Sequence, residues 1–229
     1  MKQKTIFITG SSSGIGRATV ELFSKNGWNV AATMRSPEKE SKLTKLPDVK
    51  LYKLDVLDIT SINEAVSNVI NDFGRIDVLV NNAGYGAIGP FEAATYDQIR
   101  HQFNTNVLGL FDVTREIIPH FRENQSGIII NISSVGGRLT FPLFSLYHGT
   151  KWAVEGFSES LHYELRPFGI KIKLIEPGAI KTDFYGRSQV IFNKEGLHDY
   201  DRYTEKVLPN MFKAGERGSS AGLVADAIY

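Results

Sequence analysis

The sequence predicts an α/β fold, a doubly wound parallel sheet with helices on both faces, as a single domain over residues 1–229. Three observations carry that prediction. Short apolar runs alternate with amphipathic stretches along most of the chain, which is the pattern of βαβ units. Runs such as Ile6-Phe7-Ile8 and Ile128-Ile129-Ile130 are continuous rather than alternating, as in strands buried on both faces. No linker, internal repeat or low-complexity segment divides the chain.

Ile6-Phe7-Ile8 is the first strand and ends at Thr9-Gly10. Ala18, Val20, Leu22 and Phe23 suit a helix that stops near Asn26-Gly27. Trp28 to Thr33 reads as the second strand, and Pro37 and Pro47 bound a short helix in a polar stretch. Leu51-Tyr52-Lys53-Leu54 is a third strand. Ile62, Ala65, Val66, Val69 and Ile70 keep helical spacing, and Ile76 to Val80 follows as the fourth strand. Residues 96–123 read as one long helix or two abutting ones, with Gly109 and Pro119 as weak points. A fifth strand over 128–132, a helix over 145–166 and a sixth strand over 170–175 complete the pattern. Residues 217–229 look like the start of a helix, and a further strand expected there is missing, so we expect a truncated or unobserved tail.

Composition narrows the function. The net charge is +1 with no basic block, which offers nothing to nucleic acid. The absence of cysteine removes disulfides, thiolate chemistry and cysteine-rich zinc sites, and no metal site is expected. No stretch approaches the ~20 apolar residues of a membrane span, and the N-terminal apolar run is too short for a signal peptide. A cytoplasmic location is the default expectation.

Thr9-Gly10-Ser11-Ser12-Ser13-Gly14-Ile15-Gly16 joins the first strand to the first helix. Small residues there let a backbone approach a pyrophosphate, whose charge the helix N-terminus favours. A tight turn without a ligand is the alternative, and the P-loop is excluded because Arg17-Ala18 follows Gly16. At the end of the second strand an acidic residue would accept from a free ribose 2′-hydroxyl, but the chain has Thr33-Met34-Arg35. Arg35 suits a 2′-phosphate and so favours NADP(H) over NAD(H), with Ser12 as an added hydroxyl contact; a solvated surface arginine is the rival reading. Asp55 follows the third strand, where it could accept from an adenine amino group or cap the next helix. Val56 lies beside it. Asn81-Asn82-Ala83-Gly84 closes the fourth strand; its small residues could border a cofactor, and its asparagines could tie strands together through backbone bonds.

Ser133-Ser134 ends the fifth strand, Tyr147 follows Ser134 by thirteen residues, and Lys151 follows Tyr147 by four. On a helix, four residues is about one turn, which puts the lysine on the tyrosine's face. An ammonium beside a phenol favours the phenolate, so such a tyrosine can pass a proton near neutral pH. Singly, a tyrosine is more often packing and a lysine more often solvated.

Taken together and in this order, the glycine loop, Asn81-Asn82-Ala83-Gly84, Asn106, Ser134, Tyr147-His148-Gly149-Thr150-Lys151 and Pro177-Gly178 resemble the short-chain dehydrogenase/reductase family, in its single-domain branch. The resemblance runs from Thr5 to about Phe184 and implies a Rossmann-type fold. It also implies roles. Tyr147 would be the general acid for carbonyl reduction or the base for alcohol oxidation. Lys151 would tune it and bind the nicotinamide ribose, Ser134 would hydrogen-bond the substrate oxygen, and Asn106 would hold a water of a proton relay. Gly10, Ser12, Ser13, Gly14, Ile15, Gly16, Arg35, Asp55, Val56, Asn82, Ala83 and Gly84 would bind the dinucleotide. Tyr147, Lys151, Pro177, Gly178, Ile180 and Thr182 would meet its nicotinamide end. His148 departs from the small residue often found there and carries no assigned chemistry.

Substrate choice is expected in two stretches rich in large apolar groups. One is Val135 to Leu146, with Leu139, Phe141, Pro142, Leu143 and Phe144. The other is residues 184–215, with Phe184, Tyr185, Ile191, Phe192, Tyr200, Tyr203, Leu208, Met211 and Phe212. A lid over a hydrophobic ketone, aldehyde or alcohol fits both, and so does mutual packing. The run from Ser134-Val135-Gly136-Gly137 through Leu165-Arg166-Pro167-Phe168-Gly169, together with Met34-Arg35, resembles NADP-dependent hydroxysteroid and retinol dehydrogenases. Family members pair through the long helix and the tyrosine helix, so a homodimer or homotetramer is expected. A dinucleotide-binding regulatory protein without turnover would have lost the serine, tyrosine or lysine, and an epimerase or dehydratase would need a larger C-terminal part.

Overall fold

The structure is a computed structural model that describes residues 3–182 and 189–229. Six parallel strands form the central sheet: β1 (Thr5–Ile8), β2 (Asn29–Met34), β3 (Val49–Lys53), β4 (Val78–Asn81), β6 (Gly127–Ile132) and β7 (Ile170–Ile175), in the order β3-β2-β1-β4-β6-β7. β1 pairs with β2 in the register Ile6 to Val30 and with β4 in the register Ile6 to Val78. The order reverses between β1 and β4, so the chain leaves these two strands in opposite directions. In such sheets the crevice outside the strand C-termini at that switch point is where ligands bind.

Alternation along the strands builds two cores. Phe7, Ala31, Leu79, Ile129 and Ile170 face one side, against α2 (Ile59–Phe73), α4 (Gly109–Glu123) and α5 (Ser145–Leu165). Ile6, Ile8, Val30, Val80 and Ile132 face the other, against Val20 and Phe23 of α1 (Gly14–Lys25) and Val224 and Ile228 of α7 (Ala221–Ile228). Every residue of β1 is buried, which explains its unbroken apolar run.

The expected long helix over 96–123 divides into α3 (Tyr96–Phe103), a π turn (Asn104–Leu108) and α4. Gly109 begins α4, so the break falls beside one expected weak point. Pro119 breaks nothing. It sits within α4, and the carbonyl deprived of its donor belongs to the exposed Arg115, where water can serve it. Asp58 caps α2 by accepting from Thr60 and Ser61 N–H, so Asp55 is not that helix's cap.

Shorter elements flank the strand ends. β5 (Gly86–Ile88) pairs with β9 (Gln189–Ile191), and β8 (Ile180–Lys181) pairs with β10 (Ser219–Ser220). α6 (Asp201–Glu216) lies between β9 and β10 in the chain. No helix among the described residues is long and apolar enough to cross a membrane.

Candidate active site

A cavity of about 940 Å3 opens at the C-terminal ends of the strands around the switch point. Its lining contains nearly every residue singled out from the sequence: Gly10, Ser12, Ser13, Gly14, Ile15, Arg35, Asp55, Val56, Asn82, Ala83, Gly84, Ser134, Tyr147, Lys151, Pro177, Gly178, Ile180 and Thr182. Gly16 and Asn106 stand behind the wall rather than in it.

The glycine loop is shaped by close approach. A Cβ on Gly16 would run into the Gly10 carbonyl oxygen and come within 2.6 Å of Asn82 Nδ2. Gly10 itself sits at φ +68, and Asn82 Nδ2 donates to the carbonyls of Thr9 and Gly10 at 2.9 and 3.0 Å. Thr9 Oγ1 in turn accepts from the N–H groups of Asn82 and Ala83. The loop after β1 is thereby locked to the end of β4. The N-cap of α1, Ser13, makes no side-chain capping bond, and the first turn has no acidic residue. The amide donors of that turn meet no capping side chain at the cavity, which suits an anion such as a pyrophosphate.

Arg35 is exposed at the cavity rim beside Lys39, a second cation that the sequence reading missed. One of the two carboxylates in the lining, Glu40, is committed elsewhere. It takes a two-pronged pair from Arg17 at 2.8 and 3.1 Å and bonds from the N–H groups of Lys42 and Leu43. Burial pushes the Glu40 carboxyl up, but the two N–H bonds and the Arg17 guanidinium outweigh it and hold it below its ordinary value. Arg17, which excluded a P-loop in the sequence, thus neutralises this lining carboxylate. Asp55 Oδ1 accepts from Leu57 N–H at 3.1 Å, and the carboxylate lies in the cavity lining.

At the other end, α5 brings Tyr147 and Lys151 to one face, with Lys151 Nζ 5.7 Å from the centre of the tyrosine ring. Lys151 is buried, and its ammonium donates to the Ile132 carbonyl at 2.8 Å. Burial lowers its pKa to about 8, with Glu155, one turn further along α5, pulling it back up. Ser134 Oγ accepts from Gly136 N–H at 3.0 Å, and its own hydroxyl reaches the Pro177 carbonyl at only 3.4 Å. A long bond of that kind yields readily to a better acceptor.

Asn106 lies in the π turn with its amide fully used. Its oxygen accepts from Tyr85 N–H at 3.0 Å, and its nitrogen donates to the Tyr85 carbonyl at 2.9 Å and to Thr150 Oγ1 at 3.3 Å. The amide therefore fastens the segment after Gly84 to α5. Of the Asn pair, Asn82 bonds backbone carbonyls as expected, whereas Asn81 bonds the side chains of Thr114 and Asn131. Asn131 continues to Ser158 at 2.8 Å, a buried polar chain through α4, β4, β6 and α5. Nothing in the spacing of these four residues announces it, because they meet only across the sheet.

The expected lid divides. Phe192 is core, packed with Ala87, Ala93 and Leu146, while Leu208 and Met211 pack on the cluster of Ile88, Phe144 and Tyr147. Val190 and Met211 line the cavity, as do Phe141, Pro142 and Phe144. Phe184 and Tyr185 lie outside the described residues.

A family model for short chain dehydrogenase matches residues 4–189. The chain belongs to the short-chain dehydrogenase family. An uncharacterized oxidoreductase of Schizosaccharomyces pombe is 41% identical over 197 residues, covering 85% of this chain and 81% of that protein. A 3-ketodihydrosphingosine reductase of Bacteroides thetaiotaomicron is 40% identical over 184 residues, covering 80% of this chain and 66% of that one. Among solved structures, a short-chain dehydrogenase from Streptomyces avermitilis superposes with a TM-score of 0.88 at 37% identity, covering 100% of this chain and 83% of its own. ElxO with NADP bound superposes with a TM-score of 0.78 at 30% identity, covering 99% and 90%. This short-chain dehydrogenase is thus an oxidoreductase on a Rossmann-type sheet.

Proposed function

We propose that this short-chain dehydrogenase reduces hydrophobic ketones or aldehydes with NADPH, or oxidises the corresponding alcohols, through Tyr147. The observation that carries the proposal is convergence. Ser134, Tyr147 and Lys151 share one cavity with a glycine cradle and with two rim cations that no described carboxylate neutralises.

The residues present fit a phosphorylated dinucleotide. The tight packing at Gly16 and Gly10 and the uncapped start of α1 suit the pyrophosphate, held by Ser12, Ser13, Gly14 and Ile15. Arg35 and Lys39 would hold the 2′-phosphate, and Asp55 and Val56 the adenine. Asn82, Ala83 and Gly84 would border the ribose, and Pro177, Gly178, Ile180 and Thr182 the nicotinamide. When bound, the nicotinamide supplies or accepts the hydride.

The chain's own residues handle the proton. Negative charge develops on the carbonyl oxygen as the carbonyl is reduced. Ser134 donates a hydrogen bond to that oxygen, and Tyr147 gives it the phenolic proton. The Lys151 cation, held against the Ile132 carbonyl, favours the phenolate left behind. A water at the π turn would rest on main chain there, since the Asn106 amide is engaged. Phe141, Phe144, Val190 and Met211 give the substrate an apolar wall. The sphingoid ketone named in the reductase from Bacteroides thetaiotaomicron is a carbonyl of that class. The half-buried Phe111 and Phe157 stack at 4.0 Å, with exposed Leu108 one turn before Phe111, and this surface supports pairing of α4 and α5 in a homo-oligomer.

The test is a panel of 2-decanone, decanal, acetophenone and acetone with NADPH and NADH, read by nicotinamide absorbance. The reading expects NADPH oxidation, faster with 2-decanone or decanal than with acetone. No oxidation with any member would contradict it.

A further inference from the structure

His148 follows Tyr147 directly and is buried at the cavity wall. Both of its ring nitrogens are engaged by the segment that joins Ser134 to Tyr147. Phe141 N–H donates to Nε2 at 2.7 Å, and Nδ1 lies 2.8 Å from the Gly136 carbonyl oxygen. A backbone N–H can only donate, so Nε2 must be the acceptor. The proton therefore sits on Nδ1 and is donated to Gly136; this tautomer is assigned from the hydrogen bonds.

The two partners differ in what they control. Gly136 also donates its N–H to Ser134 Oγ at 3.0 Å. That bond occupies a lone pair of the serine oxygen and leaves its hydroxyl hydrogen to point elsewhere. Gly136 leaves no room for a side chain, since a Cβ there would come within 2.8 Å of His148 Nδ1 and 3.3 Å of Ser134 Oγ. Phe141 forms part of the apolar wall, and its ring lies 5.5 Å from the imidazole. Between Phe141 and the helix, Leu143 is held at φ 65, a left-handed conformation costing about 1–3 kcal/mol in a non-glycine residue. Such strain persists only where the surroundings fix the segment. Here they do so through His148 and through the Gly89 N–H bond to the Leu143 carbonyl at 2.8 Å.

We infer that His148 is a positioning residue with two separable duties: through Gly136 it orients the Ser134 hydroxyl, and through Phe141 it fixes the apolar substrate wall. The inference rests on the carbonyl-reductase reading for what Ser134 and the wall do. It does not make His148 a proton donor to substrate.

Two conservative variants divide the duties, because an asparagine amide reaches about as far as Nδ1 and a glutamine amide about as far as Nε2. His148→Asn keeps the Gly136 bond and releases Phe141. With 2-decanone and NADPH it raises KM roughly 5- to 10-fold and leaves kcat within about twofold. His148→Gln keeps the Phe141 bond and releases Gly136. It lowers kcat roughly 5- to 10-fold and leaves KM within about twofold. Circular dichroism melts check that both variants fold. A merely structural histidine would move kcat and KM alike in both variants, and that result overturns the inference. An independent readout is the imidazole 15N spectrum of the wild-type protein, which is expected to show the neutral Nδ1–H tautomer for His148; an Nε2–H tautomer or an imidazolium near neutral pH overturns the inference whatever the activity. Failure of the wild type on the whole carbonyl panel would instead remove the reductase reading, with the 15N spectrum still deciding the clamp.

Discussion

At the end of the cavity proposed for the dinucleotide, the loop after β1 is shaped by close approach: Gly10 and Gly14, with Gly16 behind them, pack so closely to Ala83, Thr182 and Asn82 that a methyl group would collide or crowd. At the substrate end the wall is side chain. Phe141, Phe144, Val190 and Met211 line it, and two bonds from His148 hold its loop. Such close approach admits almost one sequence, since only glycine leaves the space. A side-chain wall can be built from many residues, so its sequence carries little information about its shape. On the proposed reading the first end is fixed in chemistry, and the second is where substrates would be exchanged on a constant scaffold.

That contrast breaks most visibly at the junction of the two ends. Tyr147→Phe removes the phenolic proton and keeps the ring that packs with Ile88 and Phe144. We expect kcat to fall by roughly 10²- to 10⁴-fold, in the range of general acid–base contributions, with NADPH affinity by fluorescence titration within about twofold. Normal turnover in this variant would remove Tyr147 from proton transfer.

The next test sets one end against the other. Gly16→Ala drives a methyl group into the Gly10 carbonyl and should destabilise the fold by about 1–3 kcal/mol, with weaker NADPH binding. Phe141→Leu should leave the melting temperature nearly unchanged and shift KM for 2-decanone. If the glycine variant were as stable as wild type, the loop after β1 would be less constrained than its packing implies.

Arg35→Ala sharpens the comparison within the dinucleotide end. Losing a charge-assisted bond to a 2′-phosphate should weaken NADPH by roughly 10-fold or more and NADH hardly at all. Equal losses for both would leave Arg35 a surface residue. The expected ratio is moderate because Lys39 lines the same cavity and offers a second cation.

The smallest effect is on pH and concerns Lys151. Its folded-state pKa is lowered to about 8 from 10.5, chiefly by burial. Between those two values the unfolded chain binds more protons than the folded one, so this group's contribution to stability rises as pH increases from about 8 to 10.5. Below that window its buried charge is a constant cost to the ligand-free protein. Urea melts of wild type and Lys151→Met across the window should converge as pH rises. Parallel curves would mean that the lysine is not held in a desolvated site.

How much was legible follows the same division. The inner strands β1, β2, β4 and β6 could be read because they are buried nearly throughout, whereas the edge strands β3 and β7 show as apolar residues interrupted by lysines. The cradle could be read because its glycines are irreplaceable where they stand. Asp55 could not be separated from a helix cap by position alone, since Asp58 offers the same chemistry three residues later and takes that role. Lys39 and the pairing of Arg17 with Glu40 were hidden because they depend on how the turn after β2 folds back onto α1. β5, β8, β9 and β10 were missed because each has two or three residues, too few for any periodicity to register. His148 was visible as an oddity, but its two bonds arise only when the loop from Gly136 to Phe141 closes over it.

The central claim, that Tyr147 delivers the proton while the cradle holds NADPH, is tested most directly by single turnover. Wild-type protein preloaded with NADPH is mixed rapidly with the panel carbonyl it reduces best, and absorbance of the reduced nicotinamide is followed alongside preloaded Tyr147→Phe. The account predicts a fast decay in wild type and an intact, fully bound NADPH signal in the variant. Equal decay in both proteins would contradict it.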